Sequence, residues 1–179
     1  VTVEGTGLKD HAALIHRIMF FVTNSLGHRL PLVFVAAKDV NASDLISAES
    51  KAKLNQSMQN NEMGAFLAQD SFGVVVLRDG LSQGEAIAVM SHEIGHAMYE
   101  SMTSDYQQVL SNAYAEAMEQ DVEAIDQAKM KEWVADQVAH YLASRDSKML
   151  EDVSAPHTAP KNRKLKNAVL RRAIQRIAE

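Results

Sequence analysis

The stretch VMSHEIGHAMYE, residues 89–100, carries His92 and His96 four positions apart, with Glu93 directly after the first. On a helix, side chains at i and i+4 lie on one face with their Cβ atoms about 5–6 Å apart. Both imidazoles can therefore reach one point, and Glu93 projects from the neighbouring position. The helix has a start signal upstream. Ser82 is followed three residues later by Glu85, the pattern of a reciprocal N-terminal cap.

Two histidines so placed can share a zinc ion, and a carboxylate beside them can take a proton from water whose pKa the metal lowers. This is the His-Glu-x-x-His arrangement of zinc metallopeptidases. The chain has 7 His in 179 residues. At its His and Glu content, chance supplies the pattern in roughly 2% of such chains, so the motif is suggestive by itself. The competing reading is a core helix with polar positions, which would need partners for two imidazoles and a carboxylate.

A catalytic zinc needs a third protein ligand and an open position. A histidine six residues after His96 would make a metzincin, but that position is Met102, and position 99 is Tyr99 rather than glycine. The third ligand must come from another element. In KEWVADQVAHYLA, residues 131–143, Glu132 and Asp136 lie one turn apart. Glu132 could bind zinc while Asp136 accepts the free ring N–H of His92 or His96, fixing its orientation. His140 continues their line, on the side away from Val134, Val138 and Leu142. Such a stripe taken alone is more commonly a solvated face; opposite the histidine helix, the ligand reading is preferred. Glu116, Glu119 and Glu123 compete for the same role from a densely acidic segment.

The bulk numbers narrow the class. Hydrophobic residues are 46% and charged residues 23%, ordinary for a globular protein. The net charge of -5 and pI of about 5.8 argue against nucleic acid as the primary partner. There is no cysteine, so any metal must be held by His, Asp or Glu. No apolar run approaches the roughly twenty residues of a membrane span. No secretory leader is visible, and a start at Val1 fits a processed form or a piece of a longer protein. Cytoplasm and periplasm both remain open.

Patterning predicts a single α+β domain over 1–179, mostly helical, with a small β-sheet flanking the histidine helix. Residues 8–26 read as a helix within an N-terminal unit, 1–30, with Leu8, Ala12, Ile15, Ile18, Met19 and Val22 as its apolar stripe. LPLVFVAA (30–37) and FGVVVLRDG (72–80) read as strands, the second closed by an Asp-Gly turn. The polar stretch 42–61 reads as a short helix or ordered loop, 105–128 as an acidic helix, and 129–144 as a helix built on Trp133, Val134, Val138 and Leu142. Residues 156–179 form a basic C-terminal loop and helix, with seven Lys/Arg and one acid from Lys161 onward.

LRDGLSQGEAIAVMSHEIGHAMYE followed by EWVADQVA resembles the gluzincin metallopeptidases that include the CaaX prenyl protease and HtpX-type quality-control proteases. Gly80, Leu81, residues 92–96, Glu132, Ala135, Asp136 and Ala139 fit that family's pattern. GAFLAQDSFGVVVLRDGL is similar to its Asn-Ala-Phe segment and edge strand, with Gly64 in place of the asparagine. PHTAPKNRKL is similar to its His-Pro-x-x-x-x-Arg element, without the proline directly after His157. The resemblance implies a zincin-like fold and a zinc-dependent endopeptidase acting on protein or peptide substrates. Its ligands would be His92, His96 and Glu132, with Glu93 as general base and acid. It also implies that the 72–78 strand is the sheet edge on which an extended substrate pairs, and that His157 with Arg163 stabilises the oxyanion. The family's transmembrane helices are lacking, so a prenylated substrate is not implied. Two alternatives remain: an ImmA-like regulatory peptidase, which shares the strand-then-motif layout, and a non-catalytic zincin-fold module binding a partner through its basic tail or sheet edge.

Overall fold

The computed structural model describes residues 1–25, 27 and 29–143. His157, Arg163 and the basic segment 156–179 lie outside the described residues, as does His28. Four strands, β1 (Thr2–Glu4), β2 (Leu32–Ala36), β3 (Gly64–Ala68) and β4 (Gly73–Leu77), form one sheet in the order β1-β2-β4-β3. The first three in that order run parallel, and β3 closes the sheet as an antiparallel edge. The helices are α1 (Ala12–Ser25), α2 (Ala48–Gln59), α3 (Gln83–Ser101), α4 (Ser104–Met118) and α5 (Gln127–Ala143). The result is α+β and predominantly helical. No helix among the described residues is long and apolar enough to cross a membrane.

The two central strands are apolar along their whole length because both faces of the sheet are covered. Every residue of β2 and of β4 is buried. Side chains alternate between faces. Phe34, Ala36, Val75 and Leu77 pack with α1, α3 and α5, while Val35, Val74 and Val76 join Leu54 of α2 on the opposite side. The stripe expected on α1 is the buried one, with Ile15, Ile18, Met19 and Val22 in the larger core. Trp133, Val134, Val138 and Leu142 of α5 enter the same core.

Two expectations are corrected, and two strands were not expected. The strand at 72–78 is not the edge: β4 lies between β2 and β3, and the edge beside α3 is β3. The short runs of β1 and β3 have no pattern strong enough to announce a strand. The acidic segment 105–128 is not one helix, because α4 stops at Met118 and Glu119 turns left-handed at φ 54°. No Gly or Pro marks that break.

Candidate metal centre

The site begins with the cap of α3. Ser82 Oγ accepts from the Glu85 N–H at 3.2 Å, and Glu85 Oε2 accepts from the Ser82 N–H at 2.8 Å. The reciprocal cap satisfies two backbone donors that a helix start leaves open. The helix is thereby started in a fixed place, and His92, Glu93 and His96 fall in its third and fourth turns.

Helix α5 reaches α3 closely enough to face these residues because Gly95 lies between the histidines. A Cβ there would come within 2.7 Å of Ala135 Cα, 2.9 Å of the Ala135 carbonyl oxygen and 3.1 Å of Val138 Cβ. Two of these contacts are backbone, which cannot swing away. The glycine of the motif thus sets the spacing of the two helices, and small Ala135 sets it from the other side.

That spacing brings one polar face of α5 onto one polar face of α3. His92 Nε2 lies 3.1 Å from Glu132 Oε2, His96 Nε2 lies 3.2 Å from Glu132 Oε1, and the two Nε2 atoms are 3.2 Å apart. Behind them, His92 Nδ1 is 2.9 Å from Asp136 Oδ1. With its Nδ1–H donated to Asp136, a neutral His92 turns the lone pair of Nε2 toward Glu132 and His96. Three electron-pair donors then face one another, an arrangement that only a cation, proton or metal, can hold together.

In the metal-free cluster the cation is a proton. Burial pushes the His92 imidazole down, but its hydrogen bonds to Asp136 and Glu132 and the charge of Glu93 outweigh this and raise its pKa to about 10. Hydrogen bonds from His92 and His96 hold the Glu132 carboxyl far below the ordinary range. A zinc ion suits the same place. Tetrahedral zinc with ligand bonds of about 2.0–2.1 Å keeps its donor atoms roughly 3.3 Å apart; the two Nε2 atoms are 3.2 Å apart, and each lies 3.1–3.2 Å from a different oxygen of Glu132. One carboxylate oxygen and two imidazole nitrogens within 4.8 Å of one another match a zinc donor set.

Glu93 projects from the same helix and is buried at 7% exposure. Burial raises its carboxyl to about 7; His92 and His96 oppose the shift, and Glu132 and Glu62 add to it. Part of this burial comes from β3. A Cβ on Gly64 would run into Val89 Cγ1 and lie 3.3 Å from Glu93 Cγ. The bare backbone of the edge strand therefore rests beside Glu93.

The structure thus brings His92, His96, Glu132 and Asp136 together, with Glu93 adjoining. Among the described residues, Glu116, Glu119 and Glu123 do not join the cluster. Tyr99, Tyr114 and Tyr141 are buried in the core, with Tyr114 edge-on to Trp133 at 5.6 Å. His11 is also buried, its Nε2 3.1 Å from the Leu81 carbonyl, which ties the first helical turn to the loop before α3. Sequence reasoning missed two contributors, Gly64 and Glu62. Gly64 is visible only as a departure from the family pattern, and Glu62, in a polar stretch thirty residues before His92, has no signal at all.

No protein-family profile matches this chain, and neither a curated protein nor a solved structure matches it.

Proposed function

We propose that the chain is a zinc-dependent metalloendopeptidase of the gluzincin kind, with a zincin-like fold. The observation that carries this reading is the convergence of His92 Nε2, His96 Nε2 and a Glu132 oxygen on one point, with Asp136 behind His92. His92, His96 and Glu132 would hold the ion. Bound zinc supplies a Lewis acid that polarises a peptide carbonyl and makes water acidic enough to attack at neutral pH.

The chain's own residues handle orientation and protons. Asp136 accepts the His92 Nδ1–H and fixes the ring with Nε2 toward the ion. Glu93 takes a proton from the attacking water on its carboxylate and delivers it to the departing amine nitrogen. Burial favours the protonated carboxyl that must exist between the two half-steps. Structural zinc would have no use for such a group, and this favours an enzyme over a binding module. In this reading β3, the edge strand beside α3, is the strand on which an extended substrate pairs. Oxyanion stabilisation by His157 and Arg163 remains part of the proposal.

The test is Glu93→Gln, which keeps shape and removes the proton-accepting group. The variant should bind one zinc as the wild type does, while kcat on an unfolded protein substrate falls by about 10²–10⁴. Equal cleavage by both zinc-loaded proteins would end the peptidase reading.

A further inference from the structure

The surroundings of the site are acidic well beyond what the metal requires. Glu132 and Asp136 keep 61% and 45% of their side chains open to solvent. Glu62, exposed at the approach to β3, acts through its charge on Glu93. From Asp79 to Ala128 there is no Lys or Arg at all. The first cations after that run are already engaged, Lys131 with Glu100 at 2.7 Å and Lys129 with Asp126 at 3.8 Å. Arg78 directs its guanidinium to the Asn61 side-chain carbonyl at 2.8 Å.

A divalent metal does not cancel this field. Glu62, Glu93, Glu132 and Asp136 carry four negative charges when ionised, zinc leaves two of them, and counting Arg78 as well leaves one. The wider body adds to it. The chain as a whole holds 23 Asp/Glu against 18 Lys/Arg, a net charge of -5. A cleft lined by one sign of charge concentrates ligands of the opposite sign and speeds their association, an effect that falls with ionic strength.

We infer that the substrates are peptide segments rich in lysine and arginine around the scissile bond, drawn to the site by the negative charge that Glu62, Glu93, Glu132 and Asp136 leave around the bound ion. The inference rests on the peptidase reading and names its substrate class. An acidic segment would meet like charge at each of these positions and be rejected.

The experiment uses the full-length zinc-loaded protein and two fluorescent peptide hydroxamates, which bind a metal without being cleaved. One carries Lys/Arg flanks and the other Asp/Glu flanks of equal length. By anisotropy, the cationic probe should bind at least about tenfold tighter at roughly 20 mM salt, and the gap should shrink several-fold at roughly 300 mM. Glu62→Lys, at an exposed position, should also narrow the gap several-fold while zinc stoichiometry stays the same. Equal binding of the two probes, no binding of either, or preference for the anionic one overturns the inference. The two readings fail differently. Cleavage of peptides without charge preference sinks the substrate class alone; a charge preference in binding with no cleavage of any peptide sinks the peptidase reading and leaves the cationic selectivity standing.

Discussion

Helices α4 and α5 both present carboxylates to solvent at helical spacing, yet they differ in what those carboxylates meet. On α4, Glu116 faces outward from a helix whose buried residues are Leu110, Ser111, Tyr114 and Ala115. On α5, Glu132 and Asp136 face two imidazoles across a helix contact so tight that only glycine fits at position 95. The difference is one of placement, since the side-chain chemistry is the same. A glutamate becomes a candidate ligand because its helix is held at the right distance and rotation. The core residues of α5, Val134, Val138 and Leu142, do the holding.

The sharpest way to break this comparison is to remove one glutamate from each helix. Glu132→Ala should lower zinc affinity by more than about 100-fold, beyond the 10–100-fold typical of an outer partner, whereas Glu116→Ala should leave it unchanged. Competition with a chelator reads both, and equal effects would dissolve the distinction. Asp136→Asn is expected next in size, with a loss of about 10–100-fold in zinc affinity, because the amide orients His92 less firmly. The spacing itself is tested by Gly95→Val. The new side chain meets the Ala135 backbone, so unfolding stability should drop by about 1–3 kcal/mol and zinc affinity should fall with it. Denaturant titration with and without metal separates the two effects.

The smallest effect is in pH. The metal-free values of His92 and Glu93, about 10 and about 7, lie above the 6.5 and 4.5 of the unstructured groups. A raised value means that the folded state binds the proton more tightly. The His92 contribution is therefore fully present below 6.5 and is lost as pH rises through about 10. Glu93 acts in the same direction between 4.5 and about 7. The melting temperature of the metal-free protein should fall as pH is raised from about 5 to about 9. Zinc must displace the His92 proton, so its affinity should rise over the same range, with about one proton released per ion near neutrality. Calorimetry in buffers of different ionisation enthalpy counts that proton, and no release would mean that the cluster is not the zinc site.

Much of the framework was legible in the chain. Uninterrupted apolar runs announced β2 and β4, since strands covered on both faces need no polar alternation. Ser82 and Glu85 marked the start of α3, and a 3.6-residue stripe marked α1 and α5. The failures have separate causes. β1 is held by pairing with β2, some thirty residues on, and nothing within it records that partner. β3 pairs with the neighbouring β4 as a hairpin, but its run is short and opens on a glycine that lines the site. The end of α4 is a left-handed cap at Glu119, a conformation that a glycine or asparagine would have announced.

The sequence by itself determined which side chains can share a face. Helical geometry makes His92 and His96 neighbours, and likewise Glu132 and Asp136, wherever the two helices end up. The pairing of those faces was decided only by the tertiary structure, through the glycine at 95 and the apolar core behind α5. The identity of the edge strand was decided there too, since strand order depends on pairings between residues far apart in the chain. Local spacing follows from covalent geometry and periodicity, whereas the distance between two helices follows from packing, which no single segment contains.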